Sequence, residues 1–293
     1  TFLGPLLGIS SRSDLGSLLS EILEPRYLSE NGITRLGALL THLERDCELQ
    51  DAQLLARRIR VFASKDFGRC VFDETLPPLP TDSAGIVIRT HTLELPSRDE
   101  LTHRHLYDEL SLEKIYGRAI YALGTNMARW ISASDRSRLA AFPVDEFHDV
   151  GTSPEAIEGV KDIIRKGRKE KTVAILGTQN PGADYEDSSI RGLVPTRVAM
   201  RTESPELAAE ALRWLGLDPE DRDLIEILTR ETSPYDSVTE QVLPGREGEA
   251  FMRDASGNVG RLKVDLPALP GRAQACLTTP EERAAQLEAV GAR

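Results

Sequence analysis

The hydrophobic residues in the first quarter of the chain recur with helical spacing. They form three stripes: Leu15, Leu18, Leu19, Ile22 and Leu23; Ile33, Leu36, Leu39, Leu40 and Leu43; and Leu54, Leu55, Ile59, Val61 and Phe62. Apolar residues three and four positions apart share one face of a helix, so each stripe predicts a helix with a buried face. We therefore predict an all-α subdomain over residues 1–80, which ends in the proline-rich connector at residues 76–80.

Beyond the connector, short β-branched or apolar runs alternate with longer amphipathic segments. Residues 85–88, 140–144 and 172–176 have the composition of buried strands. Residues 112–131 carry apolar residues at helical spacing, and Trp130 is expected on the buried face of that helix. Alternating strands and helices predict an α/β fold, in which helices cover a parallel sheet.

Capping residues mark the helix between the last two of these strands. Ser153 is a good N-cap, Pro154 suits the first helical position, and Glu155 complements the positive end of the helix dipole. Gly167 predicts the end of this helix, because glycine readily adopts the left-handed conformation found there. Arg168 is therefore expected on an exposed turn just past the helix.

The remaining residues predict further strands and helices. A strand is expected over residues 193–200, and a capped helix begins at residues 204–206. Residues 249–254 and 260–266 flank a turn-forming segment and predict a β-hairpin. Residues 271–293 are expected to form a tail or a short helix.

Composition and charge narrow the class of protein. The 293 residues are 40% hydrophobic and 28% charged, which is typical of a folded globular chain. A formal net charge of −11 argues against a surface that wraps nucleic acid, although a local basic strip remains possible. The sequence has no apolar run of the roughly 20 residues that a transmembrane helix needs. Its three cysteines are widely spaced, as expected of reduced thiols in a cytosolic protein.

Polar residues follow two of the predicted strands at the point where each strand ends. Asp145 and Glu146 come directly after residues 140–144, and Gln179 follows residues 172–176. Open α/β sheets bind ligands at the carboxyl ends of their strands, so these side chains are expected to converge. Asp145 could hold Mg²⁺ directly or through water, and Glu146 could polarise the water that attacks a terminal phosphate. Gln179 could orient that water or sense the phosphate.

Each of these residues also has a purely structural interpretation. The two acids could simply cap or solvate the strand end, and Gln179 could be a turn residue. Arg168 could reach a nucleotide in a neighbouring subunit as an arginine finger, or it could be a solvated cation at a helix C-terminus. His148 is expected to be a packing or hydrogen-bonding residue beside the site.

Three segments together resemble a known protein family. They are Phe142-Pro143-Val144-Asp145-Glu146, Arg165-Lys166-Gly167-Arg168-Lys169 and Leu176-Gly177-Thr178-Gln179-Asn180-Pro181. This set resembles the motor ATPases of bacterial conjugation and type IV secretion, which belong to the HerA–FtsK superfamily of hexameric RecA-like motors. The resemblance implies that Asp145 and Glu146 form the second nucleotide-binding motif. It also implies that Gln179 is the strand-end sensor and that Arg168 acts on an adjacent subunit.

The resemblance further implies a fold, cofactors and partners. Residues 81–270 would form an incomplete RecA-like three-layer nucleotide-binding core, preceded by the all-α subdomain. The cofactors would be ATP and Mg²⁺, and the protein would assemble as a homo-hexamer. It would be cytoplasmic and peripheral to the membrane, where its partner would be the secretion or conjugation apparatus, with DNA as a possible further partner.

One family motif is missing from the sequence. No Gly-x-x-x-x-Gly-Lys-Ser/Thr loop, which cradles the β-phosphate, occurs anywhere in the chain. In the family this loop lies upstream of the helical insertion, so the chain is expected either to be a C-terminal fragment or to be a degenerate homologue. In both cases this chain alone is expected to bind ATP weakly and to hydrolyse it negligibly.

Three functional hypotheses follow. The first is an ATP-hydrolysing motor, or its C-terminal part, that powers conjugative transfer or type IV secretion. The second is a DNA translocase or coupling protein of the same superfamily. The third is a catalytically silent interaction module in which Asp145 and Glu146 are structural.

Overall fold

A computed structural model of the chain describes residues 2–185, 188–236 and 241–264. The chain forms two compact units that divide between Gln179 and Asn180. The first unit holds the N-terminal helices and a parallel pair of strands, and the second holds a small antiparallel sheet. The predicted tail or helix at residues 271–293 lies outside the described residues.

Residues 2–179, the described part of the first unit, form eleven α-helices and two strands. The helices are Leu3–Leu7 (α1), Asp14–Ile22 (α2), Pro25–Glu30 (α3), Leu36–Arg45 (α4), Ala52–Ala63 (α5), Arg69–Phe72 (α6), Arg98–Thr102 (α7), Arg104–Asp108 (α8), Leu112–Ser134 (α9), Phe147–Val150 (α10) and Pro154–Glu170 (α11). A 3₁₀ turn at Asp66–Gly68 precedes α6. The strands are Ala140–Val144 (β1) and Thr172–Leu176 (β2), as the sequence predicted.

The three hydrophobic stripes form helices α2, α4 and α5, as predicted. Their inward-facing residues are buried, including Ile22, Leu43 and Leu55, whereas Leu54 and Val61 of the third stripe are exposed. The same core includes Tyr116 and Ala119 of α9. The helical bundle therefore packs against the long helix that also contacts β1.

Strands β1 and β2 pair in parallel, with Ala140 opposite Thr172 and Val144 opposite Leu176. Helix α11 packs on β2, and α9 packs on both α11 and β1. The other face of this pair is exposed to solvent, and Val173 and Ile175 are 48% and 57% exposed.

The structure contradicts the predicted strand at residues 85–88. This segment has no regular secondary structure, and Val87 is 86% exposed. A strand requires a neighbour that satisfies its backbone hydrogen bonds, and no described strand pairs with these residues. The prediction for Trp130 is also wrong, because its side chain is 69% exposed on α9.

Helix α11 is longer than the sequence predicted. It runs through Gly167 and Arg168 to Glu170, and Lys171 is the residue that adopts the left-handed conformation, with φ of 52°. Gly167 lies inside the helix, and this position requires glycine because β2 passes very close to it. A Cβ at this position would lie 2.3 Å from the carbonyl oxygen of Thr172.

Alanine at position 167 should therefore destabilise the first unit. The clash with backbone at Thr172 forces α11 or β2 to move, and overpacking of this kind costs about 1–3 kcal/mol of unfolding free energy. Gly124→Ala in α9 is the matched control, because its Cβ would approach nothing closer than 3.8 Å. We expect that control to stabilise the chain by about 1 kcal/mol. Equal urea midpoints for the two variants would contradict this account of Gly167.

The second unit contains four helices and three strands in its described residues. The helices are Pro181–Asp184 (α12), Ser188–Leu193 (α13), Pro205–Leu215 (α14) and Arg222–Glu226 (α15), and a π-helical turn at Ile227–Glu231 continues α15. The strands are Arg197–Met200 (β3), Glu249–Arg253 (β4) and Val259–Lys263 (β5). The predicted helix after Ser204 and the predicted hairpin are confirmed.

Strands β3, β4 and β5 form an antiparallel sheet in that order. The sequence instead predicted one parallel sheet for the alternating strands and helices that follow residue 85. Strand β3 is also shorter than predicted, because α13 extends to Leu193 and the N–H of Val194 still bonds to the carbonyl of Ile190. Pro195 then has no N–H to donate to a sheet.

Two arginines stabilise the second unit by capping the C-terminus of α14. Arg197 donates to the carbonyl of Trp214 at 2.6 Å and lies over the indole ring, 4.5 Å from its centroid. Arg253 donates to the carbonyl of Leu215 at 2.9 Å. Cations are favourable at the negative end of a helix dipole, and these carbonyls have no partner within the helix. Trp214 itself is buried.

A carboxylate in β4 should make the second unit sensitive to acid. Arg246 and the backbone N–H of Ser233 bond to Glu249, and these bonds lower its pKa from 4.5 to about 2. A lowered folded-state pKa stabilises the fold above the unfolded value, and this contribution disappears as the pH falls toward 2. The difference in urea midpoint between wild type and Glu249→Gln should therefore be largest above about pH 5 and should shrink on acidification. The exposed neighbour Glu247 provides the control substitution, and a difference that does not change with pH would contradict the prediction.

Candidate functional site

Two further backbone hydrogen bonds join the residues at and after the carboxyl ends of β1 and β2. The N–H of Gly177 donates to the carbonyl of Val144 at 2.7 Å, and the N–H of Phe147 donates to the carbonyl of Gly177 at 2.9 Å. A Cβ on Gly177 would lie 2.6 Å from the carbonyl oxygen of Asp145, so only glycine fits this crossing without a shift. The residues that follow each strand are therefore held in fixed register.

This register brings Glu146 and Gln179 into contact. Gln179 Nε2 donates to Glu146 Oε1 at 3.1 Å across 33 positions of sequence. The other carboxylate oxygen, Oε2, is buried and accepts no well-aligned hydrogen bond. His148 Nδ1 nevertheless lies only 3.3 Å from that oxygen, so the two atoms are close although no directed hydrogen bond joins them. Asp145 lies beside this pair with an exposed side chain.

A chain of polar contacts continues from His148 into α9. His148 Nε2 lies 3.0 Å from Asp149 Oδ1, and the hydroxyl of Tyr121 donates to Asp149 Oδ2 at 2.8 Å. Burial raises the pKa of Tyr121 to about 12, so its hydroxyl keeps the proton at neutral pH. Tyr121 Oη is also 2.9 Å from Thr90 Oγ1. Because a phenol carries one hydrogen and Asp149 takes it, the Thr90 hydroxyl is the donor in this last bond.

A cavity of ≈ 1420 Å³ opens beside these residues within the first unit. Residues 81–91, one face of α9 and strand β1 line most of it. Asp145, Glu146 and Asp149 lie at its lining as well. Apolar walls with a few convergent polar groups are typical of ligand sites in proteins.

A comparison with known protein families identifies the kind of domain. The family model described as AAA-like domain matches residues 1–268. The chain belongs to the AAA-like domain family. This family is of the P-loop ATPase type, which implies nucleotide binding. No curated protein matches the chain significantly.

Magnesium usually accompanies nucleotide in AAA-like ATPase domains, and the donor set at β1 fits it. Asp145 presents an exposed carboxylate, and Mg²⁺ in nucleotide sites takes one or two carboxylates together with phosphate oxygens and water. The described residues contain no cluster of three or more metal-ligating side chains. An ion held by Asp145 would therefore depend on nucleotide phosphates for most of its ligands.

Arg168 lies apart from the other predicted site residues of this AAA-like domain. It belongs to the last turn of α11, not to a turn beyond the helix, because the helix continues to Glu170. The chain then enters β2 at Thr172, so Arg168 lies near the amino end of β2, whereas Gln179 follows its carboxyl end. Its side chain is exposed.

Sequence patterns missed the residues that connect the site to the rest of the first unit. Tyr121 and Thr90 are 28 and 31 positions from their hydrogen-bond partners, and no local motif contains either of them. Asp149 could have been found from the sequence, because it directly follows His148 in the short helix after the acid pair. The expectation that His148 is a hydrogen-bonding or packing residue is consistent with its contact with Asp149.

The AAA-like domain also shows no membrane-spanning element in its described part. None of the helices there combines the length and the apolar character that crossing a bilayer requires.

Proposed function

We propose that this AAA-like domain is part of an ATP-hydrolysing motor that powers conjugative transfer or type IV secretion. The observation that carries the proposal is the hydrogen bond between Glu146 and Gln179 at the carboxyl ends of two parallel strands. A catalytic carboxylate and a polar amide at one sheet edge are the groups that water activation beside a terminal phosphate requires.

Glu146 is the residue that activates water in this proposal. Its carboxylate takes a proton from the attacking water as the bond to the terminal phosphate forms, and ADP is the leaving group. The amide of Gln179 donates to Oε1. Once a terminal phosphate arrives, the same amide can donate to a phosphate oxygen, so Gln179 reports whether the phosphate is present.

Asp145 is the metal-side residue. Mg²⁺ bound there, directly or through water, would neutralise charge on the phosphates. The carboxylate of Asp145 is exposed, so the side chain is free to take this role. Because Asp145 directly precedes Glu146, the Mg²⁺ ion and the attacking water would lie next to each other.

Arg168 acts in trans in this proposal. Its place near the amino end of β2 keeps it away from Glu146 of the same chain, and its exposure leaves it free to contact a neighbour. A homo-hexameric ring would bring Arg168 of one subunit toward the nucleotide of the next. An arginine in that position neutralises charge that develops in the transition state.

The finer parts of the proposal concern location and partners. We place the motor at the cytoplasmic face of the membrane, where it meets the secretion or conjugation apparatus. The phosphate-binding loop, which this sequence lacks, would be supplied by residues outside it. The resemblance of residues 142–146, 165–169 and 176–181 to conjugation and secretion motors supports this assignment.

The test is hydrolysis and transfer by the gene product that contains this chain. We expect Mg²⁺-dependent phosphate release that duplex DNA does not stimulate, and loss of transfer or secretion when the gene is deleted. Hydrolysis stimulated by duplex DNA would instead identify a DNA translocase or coupling protein. Absence of hydrolysis, with transfer intact in the deletion strain, would favour a silent interaction module and contradict the proposal.

A further inference from the structure

His148 lies between two carboxylates in the first unit. Its Nδ1 is 3.3 Å from Glu146 Oε2, and its Nε2 is 3.0 Å from Asp149 Oδ1. The ring therefore lies between the two acids, with one nitrogen facing each of them.

The far side of this bridge is anchored in the fold. Asp149 accepts a hydrogen bond from Tyr121 at 2.8 Å, and Tyr121 belongs to the 23-residue helix α9. Helix α9 packs on α11 and on the helical bundle, so it provides a rigid support. The bond from Tyr121 fixes the position of Asp149. His148 contacts Asp149 on one side and Glu146 on the other, so a fixed Asp149 also restricts the position of the imidazole beside Glu146.

The near side of the bridge meets an oxygen that has no other partner. Glu146 Oε2 is buried and accepts no aligned hydrogen bond, whereas Oε1 is held by Gln179. A buried carboxylate oxygen without a hydrogen-bond partner is unfavourable, so a donor close to it stabilises the carboxylate. A small rotation of the imidazole would convert the 3.3 Å contact into a directed bond.

We propose that His148 is a positioning residue that holds the Glu146 carboxylate in the orientation needed to activate water. The inference rests on the proposed ATPase function, and it adds a residue that controls the same site. His148 would act through Glu146 and touch neither nucleotide nor metal. Without it, Glu146 would keep its contact with Gln179 but could rotate about that single bond.

Amide substitutions at position 148 separate the two halves of the bridge. The side-chain nitrogen of Asn occupies the place of Nδ1, which faces Glu146, and that of Gln occupies the place of Nε2, which faces Asp149. His148→Asn therefore retains the contact that matters for catalysis, and His148→Gln does not. A residue that mattered only for packing would not distinguish between these two variants.

The experiment measures kcat and KM for Mg-ATP in the gene product that contains this chain. We expect His148→Ala to lower kcat roughly 10–100-fold with little change in KM, as is typical when a residue that orients a catalytic group is removed. His148→Asn should recover most of that loss and His148→Gln should not. His105→Ala, an exposed histidine on α8, is the control and should match wild type. Wild-type kcat in His148→Ala, or equal kcat for the two amide variants, would overturn the inference.

A second measurement tests the same contact without hydrolysis. In the 293-residue chain, Glu146→Gln and His148→Ala should each lower the urea midpoint, and the double variant should lower it by less than the sum. If the shifts in urea midpoint of the two single variants simply add in the double variant, the inferred contact between His148 and Glu146 is wrong. If hydrolysis is absent altogether, the proposed function fails. Non-additive shifts would then still support the contact.

Discussion

Replacing Glu146 with glutamine should nearly abolish ATP hydrolysis by the gene product that contains this chain. Glutamine has the same shape and can still accept a bond from Gln179 through its carbonyl oxygen, but it cannot take a proton from water. Loss of a general base lowers kcat by roughly 10²–10⁴-fold. Affinity for Mg-ATP should be unchanged, because in the proposed site Asp145 and not Glu146 lies on the metal side.

Two measurements establish that result. Phosphate release gives kcat, and isothermal titration with Mg-ATP gives the affinity of the variant. Glu220→Gln is the control, because Glu220 is exposed in the second unit and its substitution removes the same charge. Full hydrolysis in Glu146→Gln would show that the carboxylate is structural and would favour the silent interaction module.

Arg168→Ala should reduce hydrolysis by about a thousandfold in the assembled protein, a loss typical of removing an arginine finger. The side chain is exposed near the amino end of β2, so its removal leaves the fold and the Glu146–Gln179 contact intact. Arg165→Ala on the same helix is the matched control, because Arg165 is exposed and its ion pair to Glu158 is long, at 3.9 Å. Unfolding midpoints should be the same for both variants.

Mixing subunits tests whether Arg168 acts on a neighbour. An assembly of Glu146→Gln and Arg168→Ala subunits contains some interfaces with an intact Glu146 on one side and an intact Arg168 on the other. We expect such mixtures to regain part of the wild-type rate, although each variant alone is inactive. Mixtures that remain inactive would place both residues in the same site, and an unimpaired Arg168→Ala would leave Arg168 as a solvated cation.

Local patterns correctly predicted helices α2, α4, α5, α9 and α11 and both strands of the first unit. Stripes such as the one containing Leu39 and Leu43 encode a buried helix face directly, and Ser153 caps α11 as expected. The strand predicted at residues 85–88 failed because β-branched composition says nothing about a pairing partner. The sequence predicts Gly167 as a helix terminator, whereas in the structure its lack of a side chain lets β2 pass at close range.

The contact between Glu146 and Gln179 could be anticipated from sequence for a simple reason. Parallel strands end at the same sheet edge, so a residue that follows one strand lies near a residue that follows its neighbour. The contacts of Asp149 with Tyr121 could not be anticipated in the same way. They depend on how α9 packs against the sheet, and no local periodicity specifies that packing.

The second unit shows a different limit of sequence reasoning. Alternation of strands and helices predicted a continuous parallel sheet, but β3 pairs antiparallel with β4 across a separation of about fifty residues. Strand direction follows from long-range pairing and not from the strand's own residues. The hairpin of β4 and β5 was predictable because its turn is local, with Gly257 at φ of 91°.

The most direct test of the account is a structure of the assembled protein with Mg²⁺, ADP and aluminium fluoride, a mimic of the transferred phosphoryl group. Two distances are decisive. One joins the water bound to aluminium to the nearest Glu146 oxygen, and the other joins the Gln179 amide nitrogen to the aluminium fluoride. We predict that the water lies within about 3 Å of a Glu146 oxygen and that the Gln179 amide donates to the mimic. Nucleotide bound elsewhere, with the Glu146–Gln179 pair unchanged and remote from it, would contradict the central claim.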